Sequence, residues 1–382
     1  MFGKKPRLRR GTINGTMSLR SLLIPFSWIY HGVTSMRNSL YDNKVLKSYR
    51  FDVPVVSIGN ITVGGTGKTP HTELIVNMLE DDFKITILSR GYKRKSKGYL
   101  RATAQSTVAD IGDEPKQMAQ KFAGKAEVVV CEDRAEGIKR ITDEDKADNM
   151  MIILDDAYQH RSVSPAVNIL LIDYNRPIFE DHFLPWGDLR ESPKESSRAN
   201  IVIVTKCPPD VKPIDRRVFA KHVGLLPSQS IFFTNFNYMP MKAVFAEGNS
   251  SAPAVTEATQ ILLVTGIANT KTIEDYVAKS LSKNITHIKY KDHHNFSKKD
   301  VAKIANAFAA LPGSDKVIVT TEKDAVRLNE MDFSPELRQR MYYLPIEVNF
   351  VFDDELELKN EILKYVTEDK RNYRLHTTVR QF

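Results

Sequence analysis

The sequence predicts an α/β fold: a mostly parallel sheet flanked by helices, with a smaller C-terminal α/β domain and an N-terminal amphipathic helix. Three observations predict it. From Asp52 onward, short β-rich runs alternate with helical stretches. A glycine-rich segment joins the first of these runs to a helix. An irregular, proline-containing stretch after residue 207 then separates two groups of such runs. A chain of 382 residues has room for two domains at about 100–200 residues each.

The elements follow in order. Residues 1–17 hold Lys4, Lys5, Arg7, Arg9 and Arg10 with little apolar content, and read as a disordered basic arm. Residues 18–50 form an N-terminal helical region. Leu19, Leu22, Leu23, Phe26, Ile29, Tyr30, Val33, Met36 and Leu40 recur at steps of three and four, which is one face of a helix. Both a helix packed on the core and a helix lying in a membrane interface fit that face. Trp28, Tyr30 and the flanking arginines suit a headgroup region. Pro25 and Ser27 break the apolar part and no small-residue cleavage site follows, so an export signal is not expected. No uninterrupted apolar run reaches about 18 residues, so no transmembrane span is expected either.

Strands are expected at 53–58, 84–88, 127–130, 150–154, 168–172 and 201–204, with a helix over Thr69–Leu79. Together they make a core domain over residues 51–220. A junction is expected within 207–235. Residues 221–382 form the smaller domain, with strands at 261–265 and 317–320 and a terminal segment that packs back on the core. The small, polar tract at 247–259 reads as a loop.

Composition narrows the function. Hydrophobic residues make up 42% and charged residues 27%, as in ordinary soluble globular proteins, which excludes disorder over most of the chain. The two cysteines, Cys131 and Cys207, form no metal-binding pattern and no disulfide framework. The excess of 55 Lys+Arg over 47 Asp+Glu, a net charge of +8, suits an anionic partner: nucleic acid, a membrane surface or a phosphorylated substrate. No RNA- or DNA-binding motif is present, so nucleic acid is not expected.

The strongest motif is SIGNITVGGTGKTPHTELIVNML at 57–79. A strand runs into a glycine-rich turn and then a helix, the context of a phosphate-binding loop. Thr62, Val63, Gly64, Gly65, Thr66, Gly67, Lys68 and Thr69 are the expected ATP-binding segment. Glycines let backbone N–H groups face phosphate oxygens, Lys68 carries charge to the β- and γ-phosphates, and the Thr69 hydroxyl suits Mg²⁺. Thr62 stands where such loops usually have their first glycine. The apolar run MMIIL ends in Asp155 and Asp156, and one of these carboxylates is expected to hold Mg²⁺ directly or through water.

Other polar clusters sit at strand ends, where ligands bind in open α/β sheets. SRGYKRKSKG places Arg90, Lys93 and Arg94 around Tyr92, which fits either a solvated basic loop or, favoured by its place at a strand end, a site for an anionic headgroup. Asp113 and Glu114 precede Pro115, which fits either helix N-terminal chemistry or a base for a substrate hydroxyl. Glu132, Asp133 and Arg134 could face a ligand or cap a helix. Arg190 and Glu191 stand out as clamp and metal-neighbourhood residues. Asp292 precedes two histidines, His293 and His294, a doublet suggestive of acid–base work. Lys323 and Asp324 could contact nucleotide or cap a helix.

In this order the motifs SIGNITVGGTGKTP, LSRGYKRKSKG, GDEP, CEDR, LDDAYQHR, LPWGDLRESP, the DHH loop and TTEKDAVRL resemble the tetraacyldisaccharide 4′-kinase family of Gram-negative bacteria. The resemblance spans residues 22 to about 328. It implies a P-loop NTPase-like kinase core and a smaller domain that close together on nucleotide. It implies transfer of the ATP γ-phosphoryl group to the 4′-hydroxyl of a tetraacylated glucosamine disaccharide 1-phosphate, giving lipid IVA. By matching position, Lys68 would act on the phosphates, and Thr69, Asp155, Asp156 and Glu191 would surround Mg²⁺. Asp113 would be the base, assisted by His293 or His294, with His293 favoured by its place after Asp292. Arg90, Tyr92, Lys93, Arg94 and Arg190 would meet the substrate. The resemblance also implies a peripheral place on the cytoplasmic face of the inner membrane, through the N-terminal helix, with no obligate protein partner. A membrane-associated regulatory P-loop ATPase is the competing reading.

Overall fold

The computed structural model describes residues 19–245 and 254–379. The basic arm expected over 1–17 and the first part of the expected 247–259 loop lie outside the described residues.

A 3-10 turn, Leu19–Leu23, leads into α1, Ile24–Asp42, with Pro25 in its first turn, a position where the missing N–H costs nothing. Next come β1 (Val55–Gly59), α2 (Lys68–Leu79), β2 (Lys84–Ser89), β3 (Leu100–Arg101), α3 (Val108–Ile111) and α4 (Asp113–Lys121). They are followed by β4 (Ala126–Val130), α5 (Arg134–Glu144), β5 (Met150–Asp155), β6 (Val167–Asp173), β7 (Ile201–Thr205), α6 (Pro213–Val223) and β8 (Ser230–Tyr238). A second group holds β9 (Lys242–Ala243), β10 (Gln260–Thr265), α7 (Lys271–Ser280), β11 (Ile285–Lys289), α8 (Lys298–Ala309) and β12 (Lys316–Thr321). It continues through α9 (Glu322–Leu328), α10 (Pro335–Gln339) and β13 (Met341–Leu344), and the chain ends with β14 (Ile346–Phe350) and α11 (Glu355–Val379).

Two sheets result. The first has nine strands in the order β14-β8-β7-β6-β1-β5-β2-β4-β3, and the second has five in the order β11-β10-β12-β13-β9. Pairing is parallel except at the β14–β8, β3–β4 and β13–β9 edges. The expected strands are all present. Those the apolar runs did not reveal are mostly edge or short strands. In β8, SIFFTNFNY, the polar Thr234, Asn235 and Asn237 interrupt the run, yet the strand is held between β7 and β14.

The inner strands β1, β5, β6 and β7 are buried almost throughout, the pattern of a sheet covered on both faces. On one face, Val56, Ile58, Ile153, Ile169 and Ile203 pack with Ile75 and Leu79 of α2. Leu358, Ile362 and Val366 of α11 join the same cluster. Their spacing of four places them on one helical stripe. The chain leaves the first sheet after Tyr238 and returns at Ile346, so residues 242–344 carry the second sheet. The 220/221 division drawn from sequence falls inside α6. β1 lies between β5 and β6, so its C-terminal end opens at the point where chain connections diverge, the usual ligand crevice of such sheets.

The amphipathic pattern of α1 is turned outward. Leu22 of the preceding turn and Phe26, Trp28, Ile29, Val33 and Met36 of the helix are exposed, Trp28 to 71%, whereas Ser27 and Asn38 are buried. The helix is held by polar contacts. Ser27 Oγ donates to the Phe183 carbonyl at 2.7 Å, Tyr30 Oη to the Arg190 carbonyl at 3.1 Å, and Arg161 Nη1 to the Asn38 carbonyl at 3.1 Å. The core-packed reading of this face is therefore replaced by a helix whose polar side docks. No helix among the described residues is long and apolar enough to cross a membrane.

Leu358→Ala removes a fully buried side chain that pins α11 to the first sheet. It is expected to destabilise the chain by about 2–5 kcal/mol. A urea midpoint unchanged from the wild type would contradict that packing.

Candidate active site

The turn from β1 into α2 builds a phosphate-loop geometry. Gly67 caps α2 in the left-handed region, φ 89°. A Cβ there would stand 2.5 Å from the Phe236 ring, so only glycine fits. Inside the turn, Asn60 Nδ2 donates to Thr66 Oγ1 at 2.7 Å, and both residues are fully buried. Thr205 Oγ1 donates to the Thr66 carbonyl at 2.9 Å, and Lys206 Nζ donates to the Gly65 carbonyl. Val63 N–H donates to the Asp188 carbonyl at 2.8 Å. Thr62 is buried and bridges to Leu189. It thus frames the turn from the side, whereas Gly64 and Gly65 are exposed at its mouth. Lys68 and Thr69 open α2.

Opposite them, β5 ends at Asp155, and Asp156 follows it. Lys68 Nζ lies 3.7 Å from Asp156 Oδ2, and Arg190 Nη1 lies 3.4 Å from Asp156 Oδ1. Asp155 is buried and accepts from Thr72 Oγ1 and Ser89 Oγ, each at 3.3 Å. Burial, with the charges of Glu114 and Asp156, raises its pKa to about 7. An acid so placed favours any added positive charge. Among the described residues no group of three or more His, Cys, Asp or Glu side chains converges to hold a metal alone. Thr69 with Asp155 and Asp156 fits an ion such as Mg²⁺, which takes one or two carboxylates and completes its shell with phosphate oxygens and water.

A second cluster joins the two sheets' units. Asp113 begins α4, and Gly112 before it has φ 92°. Asp113 Oδ2 lies 2.8 Å from His293 Nδ1 and 3.9 Å from Arg327 Nη1. Lys323 Nζ lies 3.1 Å from His293 Nε2 and 2.9 Å from Glu114 Oε1. An ammonium group has no acceptor, so Nε2 must accept, which leaves the ring proton on Nδ1 to be donated to Asp113. Burial alone would raise the Asp113 pKa; His293, Lys323 and Arg327 together hold it down to about 2. His294 turns the other way, its Nε2 at 3.2 Å from Asp300 and its ring stacked on Tyr290.

The remaining expected residues divide. Tyr92 is exposed, with its ring edge-on to His293 at 5.3 Å. Arg90 and Lys93 are exposed beside it. Arg94 is committed elsewhere, with Nη2 at 2.7 Å from Glu132 and 2.6 Å from the Gly98 carbonyl. Asp133 caps α5, and Arg134 is fully buried, donating to the carbonyls of Cys131 and Asp155. Glu191 is not gathered with Asp155 and Asp156. Its oxygens accept from Asn38 Nδ2 at 3.0 Å, Gln159 Nε2 at 3.0 Å and Arg198 Nη2 at 2.7 Å. Asp324 is buried, accepting from Gly266 N–H at 2.8 Å and pairing with Arg327.

Arg327 and His71 were not singled out from sequence. His71 is fully buried; its Nδ1 donates to the Gly67 carbonyl at 2.7 Å and its Nε2 accepts from Thr234 at 2.9 Å. Burial lowers its pKa to about 4. Its position one turn beyond Gly67 was the available signal. Arg327 carried a comparable one, lying one turn past Lys323.

A strand-to-helix phosphate loop facing strand-end carboxylates across a sheet's switch point is the construction of P-loop phosphate-transfer proteins. Comparison with known proteins narrows the class. The family model of tetraacyldisaccharide-1-P 4′-kinase, LpxK, matches residues 19–367, and the chain belongs to this family. A tetraacyldisaccharide 4′-kinase of Phocaeicola vulgatus is 45% identical over 360 residues, 93% of this chain and 98% of that protein. One of Bacteroides thetaiotaomicron is 43% identical over 365 residues, 93% of this chain and 96% of that protein. The crystal structure of "apo" form LpxK from Aquifex aeolicus in complex with ATP superposes with a TM-score of 0.71 at 27% identity. It covers 91% of this chain and 100% of that one.

The raised pKa of Asp155 has a consequence for stability. An unfolded aspartate titrates near about 4, and the folded one at about 7. Between those values the unfolded chain binds fewer protons, so this group's contribution falls as pH rises through the window. Asp155→Asn is expected to gain in thermal midpoint relative to the wild type as pH is raised from about 5 to about 8. Parallel curves for the two proteins would contradict the assignment.

Proposed function

We propose that the chain transfers the γ-phosphoryl group of ATP to the 4′-hydroxyl of a tetraacyldisaccharide 1-phosphate, with Mg²⁺, to give lipid IVA in lipid A biosynthesis. Family membership supports the reaction class. The observation that carries the reading on this chain is that α4, which begins with Asp113, is bonded to α2, which begins with Lys68: Gln117 Nε2 donates to Glu73 Oε1 at 3.0 Å and Lys121 Nζ lies 2.7 Å from Glu73 Oε2. Glu114, next to Asp113, lies near enough to Asp155 for its charge to raise that pKa. A hydroxyl-binding acid and a phosphate loop are thus neighbours.

In this reading Lys68 and the loop N–H groups hold the triphosphate, and Thr69, Asp155 and Asp156 hold the metal. Mg²⁺, when bound, supplies neutralisation of phosphate charge. Asp113 accepts a hydrogen bond from the acceptor hydroxyl. A carboxyl held down to about 2 is fully ionised and only weakly basic, so it takes the proton as the oxygen–phosphorus bond forms and the hydroxyl becomes acidic. His293 orients Asp113, and Lys323 fixes the tautomer of His293. Glu191 supports the metal neighbourhood from outside, fixing the segment that brings Arg190 to Asp156. Arg90, Tyr92 and Lys93 face the anionic end of the lipid. His293 and Lys323 come from the smaller unit and Asp113 from the larger, so the two units meet at this cluster.

The acyl chains of such a substrate stay in a bilayer. The outward apolar face of α1 supports a peripheral place on the cytoplasmic face of the inner membrane, beside the substrate loop.

Labelled phosphate from γ-labelled ATP should appear on tetraacyldisaccharide 1-phosphate in mixed micelles. Asp113→Ala is expected to lower that rate about 10²–10⁴-fold, and Lys68→Ala to abolish it. Hydrolysis of ATP by folded protein with no labelled lipid would sink the kinase reading and favour the regulatory ATPase. Separately, Ile29→Glu with Val33→Glu should weaken sedimentation with anionic vesicles at least about tenfold and leave the thermal midpoint unchanged. Undiminished sedimentation would remove α1 from the membrane contact.

A further inference from the structure

Arg176 lies in the turn after β6, where its N–H donates to the Asp173 carbonyl at 3.1 Å. Its guanidinium comes up against Gly64 of the phosphate loop. A Cβ built on Gly64 would stand 3.1 Å from Arg176 Nη2 and 3.4 Å from Nη1. Gly64 itself has φ +92°, so the loop there admits both the backbone turn and the approaching cation only because the residue is glycine.

The side on which the guanidinium lies can be read from burial. Asn60 and Thr66 fill the inner side of the loop and are fully buried. The Arg176 side chain is 43% exposed, so it stands over the open mouth. It is anchored at two points, with Nη1 at 3.3 Å from Asp188 Oδ2 and Nε at 3.8 Å from Asp173 Oδ2. Asp188 is in turn tied to the loop, because its carbonyl accepts from Val63 N–H. Among the described residues Nη2 has no hydrogen-bond partner.

The other cations around the loop are engaged. Lys68 and Arg190 pair with Asp156, and Lys206 is bonded to the Gly65 carbonyl and, at 2.7 Å, to Asp173. We propose that Arg176 is a further catalytic residue, an arginine supplied by the chain itself whose Nη2 bonds the transferring phosphoryl group. The proposal rests on the kinase reading. In that step the bond from the γ-phosphorus to the β–γ bridging oxygen breaks, and its electron pair stays on ADP. The acceptor oxygen bonds to phosphorus and its proton passes to Asp113. Negative charge builds on the phosphoryl and bridging oxygens, and a fixed guanidinium neutralises it without reorganisation.

The test compares wild type, Arg176→Ala and Arg176→Lys by lipid phosphorylation, thermal melting and ADP binding with and without aluminium fluoride. For Arg176→Ala, kcat should fall at least about a hundredfold, with the ATP KM and the ADP affinity within about threefold of wild type. Wild type should bind ADP more tightly with aluminium fluoride, and Arg176→Ala should lose that gain. Arg176→Lys should melt as the wild type does and restore little, because an ammonium cannot reproduce the planar fork. Labelled lipid formed equally by wild type and Arg176→Ala would overturn the proposal alone. So would an aluminium fluoride gain retained by Arg176→Ala, or ADP binding and melting lost together with kcat, which would mark a tether. Wild type that labels no lipid would overturn the kinase reading and the proposal with it.

Discussion

Asp113 is a buried carboxylate that stays ionised because the other unit of the molecule supplies its partners. A carboxylate taken out of water without compensation protonates. Here His293 bonds it, and Lys323 and Arg327 stand behind. All three come from the chain segment that carries the second sheet, while Asp113 begins a helix beside the first. Each unit therefore leaves a charge uncompensated on its own, and the pair is complete only when the two meet. Lys121 repeats the arrangement a few residues along α4. It pairs with Glu73 of α2 at 2.7 Å and with Glu322 at the start of α9 at 3.1 Å.

The phosphate loop is held in shape by elements outside it. The segment around Leu189 pairs with Thr62 on one side. Thr205 and Lys206, at the end of β7, hold the carbonyls of Thr66 and Gly65 on another. His71 and Phe236 pack under Gly67, and both Thr234 and Phe236 belong to β8, the strand from which the chain crosses to the second sheet. The loop's shape and the path between the units thus share residues. Preorganisation of this kind is what phosphoryl transfer chiefly asks of a protein, since little covalent chemistry falls to the side chains.

The N-terminal helix inverts the usual rule for a surface helix. Its buried residues are the polar Ser27 and Asn38, and Asn38 reaches Glu191, which also holds Gln159 and Arg198. The segment that delivers Arg190 to Asp156 is therefore the same segment that anchors α1. An outward apolar stripe and the segment carrying Arg190 are joined through one buried carboxylate. That linkage gives a physical route by which the helix is oriented relative to the site.

The sequence by itself determined the parallel α/β class, the strand–loop–helix phosphate site, the paired acids after β5 and the periodicity of α1. All of these are local: apolar runs, a glycine at a forced turn and a fixed spacing carry them without reference to distant residues. Tertiary structure decided the rest. Which of two adjacent histidines meets Asp113 depends on the left-handed backbone at His293, φ 54°, and on a partner 180 residues away. Which way the stripe of α1 points depends on what its polar face finds to bond. Whether Arg94 or Glu191 is free for a ligand depends on partners already holding them. Charge compensation and hydrogen-bond satisfaction act through space, so residues with the same local signal part company once the chain has folded.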